Sequence, residues 1–224
     1  LKFLSTGGQS ITLSNAFAAS ADSQHVDVEL NTSNTTGVSV NASALSSPQS
    51  VSITTGQGTD ALTGGAGADT FIFAATSLTS SDSVTGGSGT DTLSLTGSDI
   101  LSTSDFNGVT GVDYFTFANT TGWNVSVDRH LISRSDNGLN ATFDLSGITA
   151  GDAIFNGAGI NSSTYATTIY GGNYDDGTTV AGSADTLTGG NGADYITGGA
   201  GNDSIIGGGS ADTILGGSGN DYIA

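Results

Sequence analysis

Aspartates at a fixed spacing are the residues of this chain best suited to chemistry. From residue 171 to residue 224 the sequence divides into nonapeptides without a gap, and the sixth position of each is Asp. The same unit occurs at 55–63, 64–72, 77–85 and 86–94. Carboxylates bind hard divalent cations, so the spacing predicts a repeated metal site. The candidate ligands are Asp60, Asp69, Asp82, Asp91, Asp176, Asp185, Asp194, Asp203, Asp212 and Asp221.

The other repeat positions predict how these carboxylates are held. Gly recurs at positions one, two and four, which suits a tight turn or a close approach of two backbones. Position eight is apolar in nearly every repeat, as at Leu187, Ile196 and Ile205. Alternating side chains put such a residue on one face of a strand. A turn followed by a short strand makes half of a flattened coil, so turns n and n+2 are expected to stack.

This stacking suits calcium. Parallel strands lie about 4.8 Å apart, and calcium–oxygen bonds are about 2.3–2.6 Å, so one ion reaches oxygens in two turns. Magnesium requires shorter bonds and fits poorly. Pairing turns 55/77, 64/86, 171/189, 180/198, 189/207 and 198/216 predicts about six Ca²⁺ ions. The expected turn-carbonyl ligands belong to Gly64, Gly86, Gly189, Asn191, Gly198, Ala200, Gly207, Gly209, Gly216 and Ser218.

Charge and composition restrict the partners. The net charge is −18, and Lys2, Arg129 and Arg134 are the only cations. Nucleic acids and anionic membranes require clustered Lys and Arg, so we expect neither as a partner. The absence of Cys excludes disulfides and thiol chemistry. The longest apolar run, 71–75, is too short to insert into a membrane.

No set of residues indicates catalysis, and we expect a protein that is not an enzyme. His25 and His130 are the only histidines, and neither belongs to a His-Glu-x-x-His run. No Gly-x-Ser-x-Gly elbow is present. A threonine array of the kind that binds ice is not expected either, because position seven varies irregularly among Ala, Thr, Ser, Gly and Tyr.

The repeats resemble the RTX (repeats-in-toxin) motif Gly-Gly-x-Gly-x-Asp-x-apolar-x, most closely at 189–197, 198–206 and 216–224. The resemblance implies an all-β fold, a right-handed parallel β-roll or β-solenoid, with ligation through the Asp of position six. It also implies calcium-dependent folding, type I secretion and an extracellular, secreted or cell-surface location in bacteria. Turns that depart from the motif, such as those with Ser80 or Ser210 at position four, are expected to bind more weakly.

Two spacer-plus-array modules are expected. Residues 1–54 would be a truncated β-strand spacer, 55–94 the first array, 95–170 a second β-strand spacer and 171–224 the second array. Residues 38–46 parallel residues 141–149, and each segment leads into an array. The spacers resemble those of large RTX surface proteins, including S-layer and adhesin-like chains.

Three functions fit this organisation. The first is a calcium-binding structural protein of the cell surface, S-layer-like, which self-associates into a lattice. The second is an adhesin stalk, with a cell-surface polysaccharide as a further partner. The third is the secretion and folding domain of an exported enzyme. The lack of a catalytic set favours the first two.

Overall fold

Parallel strands make up most of the regular structure. The computed structural model describes residues 1, 7–19, 24–30, 33, 35–97, 100–119, 123–128, 131, 140–148, 153–160, 164–171 and 184–224. Every strand pairing in these ranges is parallel. A five-residue helix, Asn15–Ala19 (α1), and a 3-10 turn, Ala75–Ser77, are also present. Within the ranges given, no helix has the length and apolar character needed to span a membrane.

One wall of the molecule is a sheet of nine strands. Neighbours in this sheet are alternate strands along most of the chain, because the strand between them belongs to the other wall. The nine strands are β2 (His25–Glu29), β4 (Ser50–Thr54), β6 (Thr70–Ala74), β8 (Thr92–Thr96), β11 (Tyr114–Asn119), β13 (Asn140–Ile148), β15 (Ala166–Tyr170), β17 (Tyr195–Ala200) and β19 (Thr213–Ser218).

The other wall consists of two sheets. The first has five strands: β1 (Gln9–Thr12), β3 (Val38–Asn41), β5 (Ala61–Thr63), β7 (Ser83–Thr85) and β10 (Val109–Thr110). The second has six: β9 (Ile100–Leu101), β12 (Trp123–Asp128), β14 (Ala153–Gly159), β16 (Thr186–Thr188), β18 (Ser204–Ile206) and β20 (Tyr222–Ile223). The change from one sheet to the other falls within residues 100–110, where β9 starts the second sheet and β10 ends the first.

The alternation of walls turns the chain into stacked coils. In the second array Thr186 pairs with Ser204, two nonapeptides later. In the first array Thr70 pairs with Thr92, because four extra residues lie between those repeats. Turns n and n+2 therefore stack, as the repeat period predicts.

A single apolar core fills the space between the walls. Position-eight residues Leu62, Phe71, Val84 and Leu93 point inward and are buried. Aromatic side chains are most frequent in the part of the core formed by the middle of the chain. The Phe143 ring stacks on Phe115 at 5.0 Å and contacts Phe155 at 4.7 Å between centroids. Burying one such side chain stabilises the fold by about 1.5–3 kcal/mol.

The segments between the arrays have the same architecture as the arrays. Strand β11 pairs with β8 of the first array, and β15 pairs with β17 of the second. The parallel β-roll with strand-forming spacers is thus confirmed. The division into spacers and arrays stays a prediction about the sequence, since both kinds of segment contribute strands to the same sheets.

Candidate metal sites

Each described position-six aspartate lies directly before a strand. In the turn that begins at Gly64, a Cβ atom would lie 2.2 Å from the carbonyl oxygen of Gly86 and 2.3 Å from Asp69 Oδ2. Real Cβ atoms do not make such contacts, so this position requires glycine. The absence of a side chain here lets the carboxylate and the next turn's carbonyl approach the same point.

The aspartates of successive coils are joined into ladders. The backbone N–H of Asp60 donates to Asp82 Oδ1 at 2.7 Å. The same bond occurs at four further steps: Asp69 to Asp91 (2.8 Å), Asp185 to Asp203 (2.9 Å), Asp194 to Asp212 (3.0 Å) and Asp203 to Asp221 (3.1 Å). Five of the six predicted turn pairings therefore bring their aspartates together.

A sixth step involves Asp113, which the sequence analysis missed. The N–H of Asp91 donates to Asp113 Oδ2 at 3.2 Å, and Asp113 is buried. The sequence around Asp113 does contain part of the repeat motif. Residues 108–116 have Gly at positions one and four, Asp at six and Phe at eight, but lack the second glycine. Asp113 therefore extends the first array by one coil into the predicted spacer.

The predicted pairing of turns 171 and 189 differs from the observed register. Asp176 lies outside the described residues. Strand β17 pairs with β15, which places Thr167 across from Asp194. The Thr167 N–H and hydroxyl donate to Asp194 Oδ1 at 2.7 and 3.0 Å. The physical reason is that Tyr165 and Thr167 complete the coil below Asp194 before the repeat at 171–179 begins.

The second carboxylate oxygen points back into its own turn. Asp69 Oδ2 accepts from the Gly65 N–H at 2.6 Å, and Asp194 Oδ2 accepts from the Gly190 N–H at 2.7 Å. The Thr55 hydroxyl donates to Asp60 Oδ2 in the same way. These bonds fix the carboxylates in place within a turn rather than in solvent.

Asp203 gives the clearest test of whether a cation fits. Its Oδ2 is buried and has no hydrogen-bond partner. A Cβ on Gly198 would lie 2.3 Å from this oxygen and 2.3 Å from the Gly216 carbonyl oxygen. Asp203 Oδ2 and the Gly216 carbonyl oxygen both lie 2.3 Å from that Cβ position, so they are at most twice that distance apart. A buried carboxylate oxygen and a backbone carbonyl from the next coil are the ligands that calcium takes, so the donor set fits a calcium ion.

Burial raises the pKa of three ladder aspartates, Asp60, Asp69 and Asp203. Burial raises the pKa of Asp60 to about 6, against hydrogen bonds from Thr55 and Val38 that lower it, and the nearby Asp82 charge raises it further. Burial likewise raises the pKa of Asp69. For Asp203 burial is again the main cause, and the Asp221 charge adds to the rise in pKa. The ladders that contain these three aspartates therefore hold negative charge that a cation would stabilise.

The predicted carbonyl ligands divide into three groups. The Gly86, Gly198, Gly207 and Gly216 oxygens each face the position-one glycine of the turn below. By contrast, Ala200 and Ser218 lie at the ends of β17 and β19, where the Ser218 oxygen accepts from the Gly201 N–H at 2.9 Å. The remaining predicted ligands belong to the turns: Gly64 and Gly189 at position one, Asn191, whose oxygen accepts from the Ser210 hydroxyl, and Gly209, whose N–H donates to Gly190.

No cluster made of side chains alone supplies a metal site. Within the described parts of the chain, no three or more His, Cys, Asp or Glu residues are arranged to hold an ion. His25 contacts Ser50 Oγ at 2.6 Å and Asp27 Oδ1 at 3.2 Å, and His130 lies outside the described residues. A calcium site in these parts of the chain would therefore combine carboxylates with backbone carbonyls.

Comparison with known proteins points to the same turns. A family model of the RTX calcium-binding nonapeptide repeat matches four segments, residues 50–72, 78–101, 181–209 and 188–223. These segments contain every predicted aspartate ligand except Asp176, and they leave Asp113 outside. No curated protein and no solved structure showed a significant match.

Proposed function

We propose that this chain, four segments of which match the RTX calcium-binding nonapeptide repeat, is a calcium-binding extracellular structural protein of the bacterial cell surface. It folds when it meets calcium after secretion, and the folded chains assemble into an S-layer-like lattice. It has no catalytic activity of its own.

The observation that carries this proposal is the pairing of buried aspartates in successive coils. Asp60 and Asp82 belong to different coils, yet the backbone of one donates to the carboxylate of the other at 2.7 Å. Stacking the coils forces like charges together and out of water, which is costly unless a cation neutralises them. The sequence therefore couples formation of the fold to a divalent ion.

The residues that would hold calcium follow from the ladders. The carboxylates come from the six observed steps 60/82, 69/91, 91/113, 185/203, 194/212 and 203/221. The carbonyls come from position-one glycines such as Gly86, Gly198 and Gly216. Calcium neutralises the carboxylates and links one coil to the next. One ion per step would give about six ions, with the 91/113 step in place of the predicted 171/189 pairing.

Weak sites are sufficient when they are numerous. Extracellular calcium modules bind with a Kd of about 10⁻⁴–10⁻³ M. At free calcium ten times the Kd, one site stabilises the fold by about 1.4 kcal/mol, and six independent sites by about 8 kcal/mol. That sum is comparable to the whole stability of a typical domain, about 5–15 kcal/mol. Such a chain stays unfolded in the cytosol, where calcium is scarce, and folds outside the cell.

An adhesin stalk is the second candidate, because the nine-stranded sheet runs through both arrays and the segment between them. With strands about 4.8 Å apart it spans roughly 40 Å along the stack. A continuous sheet of this kind makes a spacer that calcium would stiffen. Negative-stain imaging separates the two candidates: ordered two-dimensional arrays that require calcium support the lattice, and isolated rods support the stalk.

Calcium titration followed by far-UV circular dichroism tests the calcium-dependent fold itself. We expect a cooperative change from coil to β-structure at millimolar calcium. Magnesium at the same concentration should not produce it, since magnesium keeps its water and prefers shorter bonds. A chain that is fully β-structured in chelator, or that responds equally to magnesium, would contradict the proposal.

A further inference from the structure

The outer face of the nine-stranded sheet carries a more regular pattern of side chains than the order of residues along the chain suggests. Position seven varies along the chain because successive repeats contribute to different walls. On this wall alone, one row of paired outward residues runs Ser52, Thr70, Thr92, Tyr114, Thr142, Thr168, Tyr195 and Thr213. Every member carries a hydroxyl group. The sheet therefore presents an unbroken row of hydroxyls across eight neighbouring strands.

Aromatic rings concentrate in one part of this row and in the row beside it, to which Tyr170 belongs. Tyr114, Tyr170 and Tyr195 lie on β11, β15 and β17 and point outward. The rings of Tyr170 and Tyr195 meet edge to face, with centroids 6.3 Å apart. The Tyr114 hydroxyl donates to Asp144 Oδ2 at 2.8 Å on the strand between. We call the surface formed by Tyr114, Asp144, Thr168, Tyr170 and Tyr195 the tyrosine face.

The charge of this face selects among ligands. The strands of the nine-stranded sheet contain no Lys or Arg, while Asp27, Glu29 and Asp144 point outward. On the described strands of this sheet, a phosphorylated, sulfated or uronate-rich polymer would meet like charge. An uncharged ligand rich in hydroxyl groups suits the face, because Thr and Tyr hydroxyls and a carboxylate can donate to it and accept from it. Tyr rings also offer apolar surface to C–H groups.

We propose that the tyrosine face binds a neutral polysaccharide laid across strands β11 to β17. Its sugar rings stack against Tyr170 and Tyr195 and exchange hydrogen bonds with Thr168 and Asp144. The inference rests on the proposed calcium-stabilised fold, because the row exists only when the strands are formed. An ice crystal is the competing ligand, but the bulky tyrosines break the even threonine spacing that a flat lattice requires.

Affinity electrophoresis of the full chain tests this proposal. The native gels contain millimolar calcium and one soluble neutral polysaccharide each: dextran, α-mannan, galactomannan or mixed-linkage β-glucan. Retardation against a gel without polysaccharide gives the Kd. We expect at least one polysaccharide to retard the chain, and the double variant Tyr170→Ala, Tyr195→Ala to raise the Kd tenfold or more. Tyr222→Ala is the matched control, because Tyr222 is exposed on the six-stranded sheet, and it should leave the Kd unchanged.

Circular dichroism in calcium accompanies every variant. If the double variant does not fold, Thr168→Glu tests the same face by placing a charge beside the two rings, and it should abolish retardation. The proposal fails if the folded wild-type chain is not retarded by any of the four polymers, or if Tyr222→Ala weakens retardation as much as the double variant. Shaping of ice crystals without retardation would assign the face to ice instead. A wild-type chain that stays unfolded in calcium would contradict both the proposed function and this inference.

Discussion

Replacing Asp203 by Asn separates the two roles that a ladder aspartate has. Asp203 Oδ1 accepts from the Asp185 N–H at 2.9 Å, and an amide oxygen can keep that bond. The other oxygen is buried without a partner and faces the side of Gly198 on which the Gly216 carbonyl lies. An amide N–H₂ placed there can donate to that carbonyl. The substitution thus removes a charge and a metal ligand but conserves shape and hydrogen bonding.

The expected effect changes sign with calcium. Asp203 takes part in two ladder steps, to Asp185 and to Asp221. At free calcium ten times the Kd, losing two sites lowers the free energy of unfolding by about 3 kcal/mol. Without calcium the variant loses a buried carboxylate whose pKa is raised by burial and by the Asp221 charge. Its stability should then equal or exceed that of the wild type.

Urea unfolding followed by circular dichroism measures both states. Trimethylamine N-oxide is added to all samples so that the calcium-free chain is folded. Asp27→Asn is the control, because the Asp27 side chain is 78% exposed and lies outside the ladders. It should change stability little in either buffer. Equal destabilisation of Asp203→Asn with and without calcium would refute the reasoning, since the carboxylate would then act only as a hydrogen-bond acceptor.

Three further predictions concern other parts of the ladders. Asp113→Asn should raise the calcium midpoint of folding and reduce the number of bound ions by one, as counted by isothermal titration calorimetry; an unchanged stoichiometry would remove the 91/113 step. Gly198→Ala should abolish binding at the adjacent step, because the new Cβ would lie 2.3 Å from Asp203 Oδ2; calorimetry showing a full complement of ions would contradict this. In chelator, with trimethylamine N-oxide added so that the chain is folded, stability should be highest below about pH 4 and fall as the pH rises through about 6, because burial raises the pKa of Asp60 from 3.8 to about 6 and the folded state binds its proton more tightly. That shift corresponds to about 3 kcal/mol, and a urea midpoint in chelator that is flat or rises from pH 4 to 7 would count against it.

The period of nine was sufficient to predict the local features of the sites. The Asp at position six ends the turn, and the apolar residue at position eight lies in the strand that follows. Both therefore belong to one short segment of the chain. This is why Asp69 lies at the end of its turn and Phe71 lies in strand β6, as the period predicts; the role of Asp69 as a calcium ligand stays a prediction. The stacking of turns n and n+2 followed because a strand of three residues cannot return to its own wall in one repeat.

Register between distant segments was harder to predict. Thr167 lies across from Asp194 because the coil below is completed by residues outside any repeat, and no local spacing shows this. Asp113 was missed because only part of the motif surrounds it. The hydroxyl row on the nine-stranded sheet was hidden because the sequence interleaves two walls, and only strand pairing separates them.

Calcium bridging of the stacked carboxylates is tested most directly by anomalous diffraction from crystals grown in calcium. Peaks should lie between successive turns, each contacted by an aspartate and by a glycine carbonyl of the neighbouring coil, including one near Asp203 and Gly216. Crystals grown in magnesium alone should lack them. Well-ordered crystals in calcium with no peaks beside the aspartate ladders would show that the coils are held together without the ion.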